Sequence, residues 1–255
     1  YAPRTLKKLL PRNGAKNAKK IAYFSGCYAN YNDPQIGQAL ATVLARRGYE
    51  VFMPPQTCCG LPAIANGDLD SAYRKAQYNI SSLQEVIDSG MDIITTCTSC
   101  AMVLRSEYKD LFSIQGAKEV AARVYDFGEF LLQLYEQGVL NADFREQALS
   151  LAYHAPCHLK ALGIGLPGLE VLRLLGVKIH ELDAGCCGLA GTYGFKREKY
   201  ETSMDIGKPL FQAIARSGAD RVVTECPMCK VRIEHATGTR VVHPVTIICS
   251  LLSAS

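Results

Sequence analysis

Ten of the eleven cysteines in this 255-residue chain fall into two copies of one pattern, and that duplication constrains the fold more than any other feature. The first copy runs Cys27, then Cys58-Cys59-Gly60, then Cys97-Thr98-Ser99-Cys100. The second runs Cys157, then Cys186-Cys187-Gly188, then Cys226-Pro227-Met228-Cys229. Matching cysteines are offset by 130, 128, 128, 129 and 129 positions. The flanks repeat as well: Ile21-Ala22-Tyr23 answers Leu151-Ala152-Tyr153, and Cys58-Cys59-Gly60-Leu61 returns as Cys186-Cys187-Gly188-Leu189. Tandem duplication is the simplest reading, with two half-domains meeting near residues 138–148. The expected organisation is a tail or linker at 1–20, a first domain at 21–137 and a second at 149–255.

A secreted disulfide scaffold would also raise the cysteine count. The chain is too long to need such staples, its count is odd and its cysteines are patterned, so a reducing compartment and cysteines used as metal or cluster ligands fit better. Hydrophobic residues at 48% and charged residues at 20% describe a folded globular chain. A net charge of +4 with no Trp and no Lys/Arg stripe beyond the N-terminal tail argues against a nucleic-acid binder. No run of 18 apolar residues occurs, so the sequence predicts no membrane-spanning helix.

Short apolar runs alternate with helical periodicity. Strands are expected at Ile21–Phe24, Glu50–Met53, Asp92–Thr96 and Val124–Asp126. Asp33-Pro34 supplies a cap and a first-turn proline for a helix carrying Ile36, Leu40, Val43 and Leu44 on one face. Asp70–Ser89 reads as a helix with Ala72, Ala76, Ile80, Leu83 and Ile87 aligned, a further helix begins at Cys97, and another covers Phe130–Tyr135. The second half repeats the order: Leu151–His154, Leu169–Leu175, Lys178–Leu182, Lys199–Ser217, Arg221–Thr224, Met228–His235, then Val241-Val242 and Pro244–Leu252. This alternation predicts an α/β fold of two tandem, pseudo-symmetric half-domains, each a small, mainly parallel sheet flanked by helices.

The first cysteine, the cysteine pair and the first cysteine of the C-x-x-C each follow the carboxyl end of an expected strand. In a parallel sheet those ends share one edge, where open α/β folds place their ligands. Residues 30 to 40 apart can therefore converge. Five thiolates exceed by one the needs of a tetrahedral zinc ion or a cubane [4Fe–4S] cluster, so either one cysteine per set is not a ligand or the centre is unusual. Gly60 and Gly188 would permit a positive φ where adjacent ligands turn toward one centre.

This pattern resembles the cysteine-rich CCG domain family, found in heterodisulfide reductase, in iron–sulfur subunits of glycolate and lactate oxidation, and in the anaerobic glycerol-3-phosphate dehydrogenase. Segments similar to that last branch are Gly26–Asn32, Ile64-Ala65-Asn66-Gly67, Gly188–Lys196, Ser217–Asp220 and His243-Pro244-Val245-Thr246. The resemblance covers about residues 20 to 252. It implies noncubane [4Fe–4S] clusters, one held by Cys27, Cys58, Cys59, Cys97 and Cys100, the other by Cys157, Cys186, Cys187, Cys226 and Cys229, with zinc an alternative at one site. It also implies an oxidoreductase subunit that passes electrons from a flavin-containing dehydrogenase, with glycerol-3-phosphate as substrate, toward a membrane quinone pool. The expected location is the cytoplasm, peripheral on the inner face of the membrane. The branch carries a ferredoxin-like module with two C-x2-C-x2-C-x3-C-P runs; this sequence has none, so the module is expected upstream or on a separate chain. Two alternatives stay open: a heterodisulfide or thiol-disulfide reductase subunit, and a zinc-bound structural docking module.

Other residues carry weaker expectations. His154 and His158 flank Cys157 and either tune a centre or pack. Cys249 lies outside both sets in an apolar helix and is expected in the core. Lys196, Arg197 and Lys199 read as a solvated basic patch. Lys7, Lys8, Arg12, Lys16, Lys19 and Lys20 read as a flexible linker able to touch an anionic membrane surface. Gly163 and Gly165 lack the rest of a nucleotide fingerprint.

Overall fold

The computed structural model describes residues 1–10, 18–140 and 150–251. The chain divides into two compact units, Tyr1–Asn141 and Ala142–Ser255. Each is built on a four-stranded parallel sheet.

The first unit begins with a short helix α1 (Leu6–Leu9) and continues through β1 (Lys19–Tyr23), α2 (Gly26–Tyr31), α3 (Pro34–Ala45), β2 (Tyr49–Phe52), α4 (Leu61–Ala65), α5 (Leu69–Asp88) and β3 (Ile93–Thr95). After β3 come α6 (Thr98–Met102), a π-helical turn (Val103–Glu107), α7 (Tyr108–Leu111), α8 (Ala117–Ala122), β4 (Val124–Asp126) and α9 (Phe127–Glu136). The strand order is β2-β1-β3-β4. The chain moves one way from β1 to β2 and then back past β1 to β3, so right-handed crossovers place α3 and α5 on opposite faces. Ala22 and Phe24 accordingly join Ala72, Ala76, Ile80 and Leu83 of α5 in one buried cluster. The sequence explains the ends of these helices. Pro34 fills the first turn of α3, Asp68 accepts from the Ser71 amide at the start of α5, and Asp126 with Glu129 forms a capping box on α9.

The second unit follows the same plan: β5 (Leu151–His154), α10 (Cys157–Leu162), α11 (Pro167–Leu174), β6 (Ile179–Leu182), α12 (Tyr200–Ser217), β7 (Arg221–Val223), α13 (Pro227–Thr237), β8 (Val241–Val242) and α14 (Pro244–Leu251). Its order is β6-β5-β7-β8. The first unit follows its cysteine pair with α4; the second has two 3₁₀ turns, Tyr193–Phe195 and Arg197–Lys199. The two halves are therefore tandem α/β repeats with the same strand order.

Two expectations are corrected. The N-terminal tail is not all linker: Leu6 is fully buried, and a Cβ on Gly37 of α3 would run into its side chain. Lys19 and Lys20 belong to β1, while Arg12 and Lys16 lie outside the described residues. Cys249 is half-buried rather than a core residue, although Ile247, Ile248 and Leu251 around it on α14 are buried.

Candidate metal centres

In each unit the strands β1, β2 and β3, or β5, β6 and β7, run parallel and deliver their following loops to one edge. Cys27 lies in the first turn of α2, Cys58 and Cys59 precede α4, and Cys97 is the N-cap of α6, with Cys100 one turn in. The sheet order changes direction at β1, the kind of switch point at which open α/β sheets hold ligands. None of the cysteines forms a disulfide.

The thiols of each set lie close enough to shift one another's titration: Cys27, Cys58, Cys59, Cys97 and Cys100 in the first unit, and Cys157, Cys186, Cys187, Cys226 and Cys229 in the second. In the second set Cys229 donates to Cys187 over 3.3 Å. Burial differs within each set. Cys27 and Cys157 are exposed, Cys58, Cys97 and Cys186 half-buried, and Cys59, Cys100, Cys187, Cys226 and Cys229 buried.

The first cysteine of each adjacent pair is the thiol most readily deprotonated. Hydrogen bonds from Cys27 and Cys59, the Gly60 amide and the nearby Lys75 charge hold Cys58 well below the usual thiol range despite its partial burial. Cys186 is held down in the same way by Cys157, Cys187 and the Gly188 amide, whose N–H donates to Sγ over 3.3 Å. Cys27 and Cys157 are pushed up, first by donating to that thiolate and then by burial.

Both glycines after the cysteine pairs are left-handed, with φ of +91° at Gly60 and +83° at Gly188. The carbonyls of these turns are anchored by residues that the sequence patterns did not single out. In the first unit Tyr108 donates to the Cys59 carbonyl at 2.8 Å, and Asn79 donates to Tyr108 at 2.9 Å and to the Cys58 carbonyl at 3.3 Å. In the second, Ser203 donates to the Gly188 carbonyl at 2.7 Å, and the buried Arg232 donates to Ser203 at 2.8 Å. Strand ends are tied similarly: Tyr23 pairs with Thr96 at 2.6 Å and Tyr153 donates to Glu225 at 2.7 Å.

His154, at the end of β5, is buried, and its Nε2 has no hydrogen-bond partner. Burial pushes its pKa down to about 4, so the ring is neutral. His158 is half-buried, and burial lowers its pKa too. Lys196 and Arg197 face solvent as expected, and Lys199 lies 5.8 Å from the Tyr193 ring centre.

The donor set fits a thiolate-bound polynuclear centre. Among the described residues no group of three His, Cys, Asp or Glu side chains is already arranged around a single metal ion. The Nε2 of the buried His154, which Ala155-Pro156 link to Cys157, is an unmet polar atom that a bound group could satisfy.

Fold and site together define a duplicated parallel α/β protein with five cysteines gathered at the strand-end edge of each unit. The model of the cysteine-rich CCG domain matches residues 21–105 and 151–234, and the chain belongs to that family. A subunit of the anaerobic glycerol-3-phosphate dehydrogenase of Escherichia coli K12 is 39% identical over 242 residues, 94% of this chain and 61% of that protein. A subunit of the fumarate reductase (CoM/CoB) of Methanothermobacter marburgensis is 31% identical, over 87% of this chain and 43% of its own length. Lactate utilization protein A 2 of Bacillus cereus AH820 is 29% identical, over 72% of this chain and 78% of its own. The chain thus spans less than two thirds of the first two relatives. A hypothetical protein from Helicobacter pylori shares the fold at a TM-score of 0.52 and 11% identity, over 98% of this chain and 53% of that one.

Proposed function

We propose that this chain is an iron–sulfur electron-transfer subunit in which each set of five cysteines holds one noncubane [4Fe–4S] cluster. The observation that carries the reading is the gathering of five free cysteines at the strand-end edge of the sheet, repeated in both units. Cys27, Cys58, Cys59, Cys97 and Cys100 would hold one cluster, and Cys157, Cys186, Cys187, Cys226 and Cys229 the other. Such clusters supply one-electron storage and transfer at a potential set by their surroundings. The chain's own part is to fix the thiols, exclude water from the buried ones and tune that potential through nearby charges and hydrogen bonds. The names of the relatives support a dehydrogenase partner, with glycerol-3-phosphate its substrate; in this reading the partner carries a flavin and the quinone pool is the destination. A ferredoxin-like module, upstream or on a separate chain, completes that route, with the complex on the cytoplasmic face of the membrane. No helix among the described residues is long and apolar enough to cross a membrane.

The test is anaerobic purification followed by iron, zinc and acid-labile sulfide analysis with EPR. About eight iron and eight sulfide per chain is the expected result. Zinc without sulfide overturns it and leaves a structural module.

A further inference from the structure

The two cysteine turns are anchored from behind by side chains of different charge. In the first unit the anchors are Asn79 and Tyr108, both neutral and both buried. In the second they are Ser203 and Arg232. Arg232 lies one helical turn beyond Cys229 and is only 3% exposed. The position three residues beyond the last cysteine in the first unit holds Val103, fully buried. The Arg232 guanidinium donates to the Gly194 carbonyl at 2.9 Å and to Ser203 at 2.8 Å, contacts the Met204 sulfur and packs on the Tyr200 ring. Its Nε has no partner, and it makes no ion pair among the described residues.

A guanidinium stays charged in any protein setting, and a buried charge is costly unless an opposite charge answers it. The cysteine set is the anion nearest in the network: Arg232 reaches the turn through Ser203 and the Gly188 carbonyl, next to Cys187. The first unit does have a cation near its thiolate, Lys75, but Lys75 is half-exposed and water screens it. Glu225 stands beside Cys226 where the first unit has Thr96, and it is buried and accepts from Tyr153 at 2.7 Å.

We propose that Arg232 is the potential-setting residue of the second centre: a fixed buried cation that favours the cluster's reduced, more negative form and so makes the two centres inequivalent. The inference rests on the cluster reading above. It makes Arg232 a positioning residue that acts through Ser203 and the cysteine turn, since it contacts no cysteine directly.

EPR-monitored potentiometric titration of the cluster-loaded chain tests this, alongside iron and sulfide analysis. Arg232→Met should lower the reduction equilibrium constant of one centre at least tenfold, which is 59 mV for a one-electron couple, and leave the other unmoved. Arg232→Lys should restore most of the shift by returning the charge. Ser203→Ala, which breaks the link to Gly188 but keeps the cation, should move the same centre less. A loaded Arg232→Met chain in which neither centre moves, or both move equally, overturns the inference and leaves the cluster reading intact. A wild-type chain without sulfide overturns both. If Arg232→Met does not fold, Arg232→Lys and Ser203→Ala still decide it: two unshifted potentials in a loaded Ser203→Ala chain overturn the coupling.

Discussion

The Tyr108 hydroxyl donates to the carbonyl of Cys59 across 49 residues of sequence at 2.8 Å, tying the turn of the first cysteine pair to the helix that follows Cys97. That bond holds two of the site's separate segments in register before any metal is bound. Tyr108→Phe removes it and leaves a buried carbonyl and the Asn79 amide short of a partner. The expected cost is about 1–3 kcal/mol. Chemical denaturation of the metal-free chain measures it, and iron content should fall at the first site alone.

The two left-handed glycines should not be equally sensitive. At Gly60 an added Cβ would meet the Ala72 Cα at 3.6 Å, an ordinary contact, so Gly60→Ala carries mainly the φ penalty of about 1–2 kcal/mol. At Gly188 the Cβ would meet the backbone of α12, with the Gly207 nitrogen at 3.0 Å. Gly188→Ala should therefore destabilise more than Gly60→Ala, as read from unfolding midpoints; equal losses would contradict the packing described.

Single Cys→Ser substitutions across the two sets should each cost one site its cluster, about four iron per chain, and spare the other. Cys249→Ser, outside both sets, should keep the full complement. Iron and sulfide assays on the eleven variants are sufficient; a cysteine of either set whose loss changes nothing is not a ligand.

Asp126 gives a pH prediction independent of any metal. Burial pushes its pKa from 3.8 up to about 7, against the pull of the Gly128 amide and with the Glu129 charge adding to the rise. The folded state therefore binds the proton more tightly than the unfolded chain. The stability this confers is present in full below pH 3.8 and is lost as pH rises toward 7. Asp126→Asn keeps an oxygen to cap α9 and removes the charge. It should match wild type near pH 4 and exceed it above pH 7, by about 4 kcal/mol at most. Thermal melts of both proteins across that range check the sign.

Much of this is legible in the sequence because parallel sheets impose simple rules. Ile21–Phe24 and Leu151–His154 are buried on both faces, so they read as short apolar runs, and cysteines placed after strand ends have to share an edge. Helices such as Pro34–Ala45 announce themselves through periodicity. The six-residue helices that carry Cys27 and Cys157 are too short to show any. The buried anchors are illegible for another reason. Asn79 sits on the apolar face of α5 and Arg232 on α13, but a single polar residue in a helix looks the same in sequence whether it faces water or a carbonyl; only the tertiary partner, Tyr108 or Ser203, decides. Leu6 escapes a sequence reading because four residues of helix flanked by basic side chains resemble a tail.

The difference in exposure within each set decides which sulfurs a reagent in solution can reach first. One cysteine of each five, Cys27 or Cys157, stands at the surface while its partners recede inward. In the metal-free chain a bulky, water-borne thiol reagent should therefore label Cys27 and Cys157 before it reaches the buried cysteines.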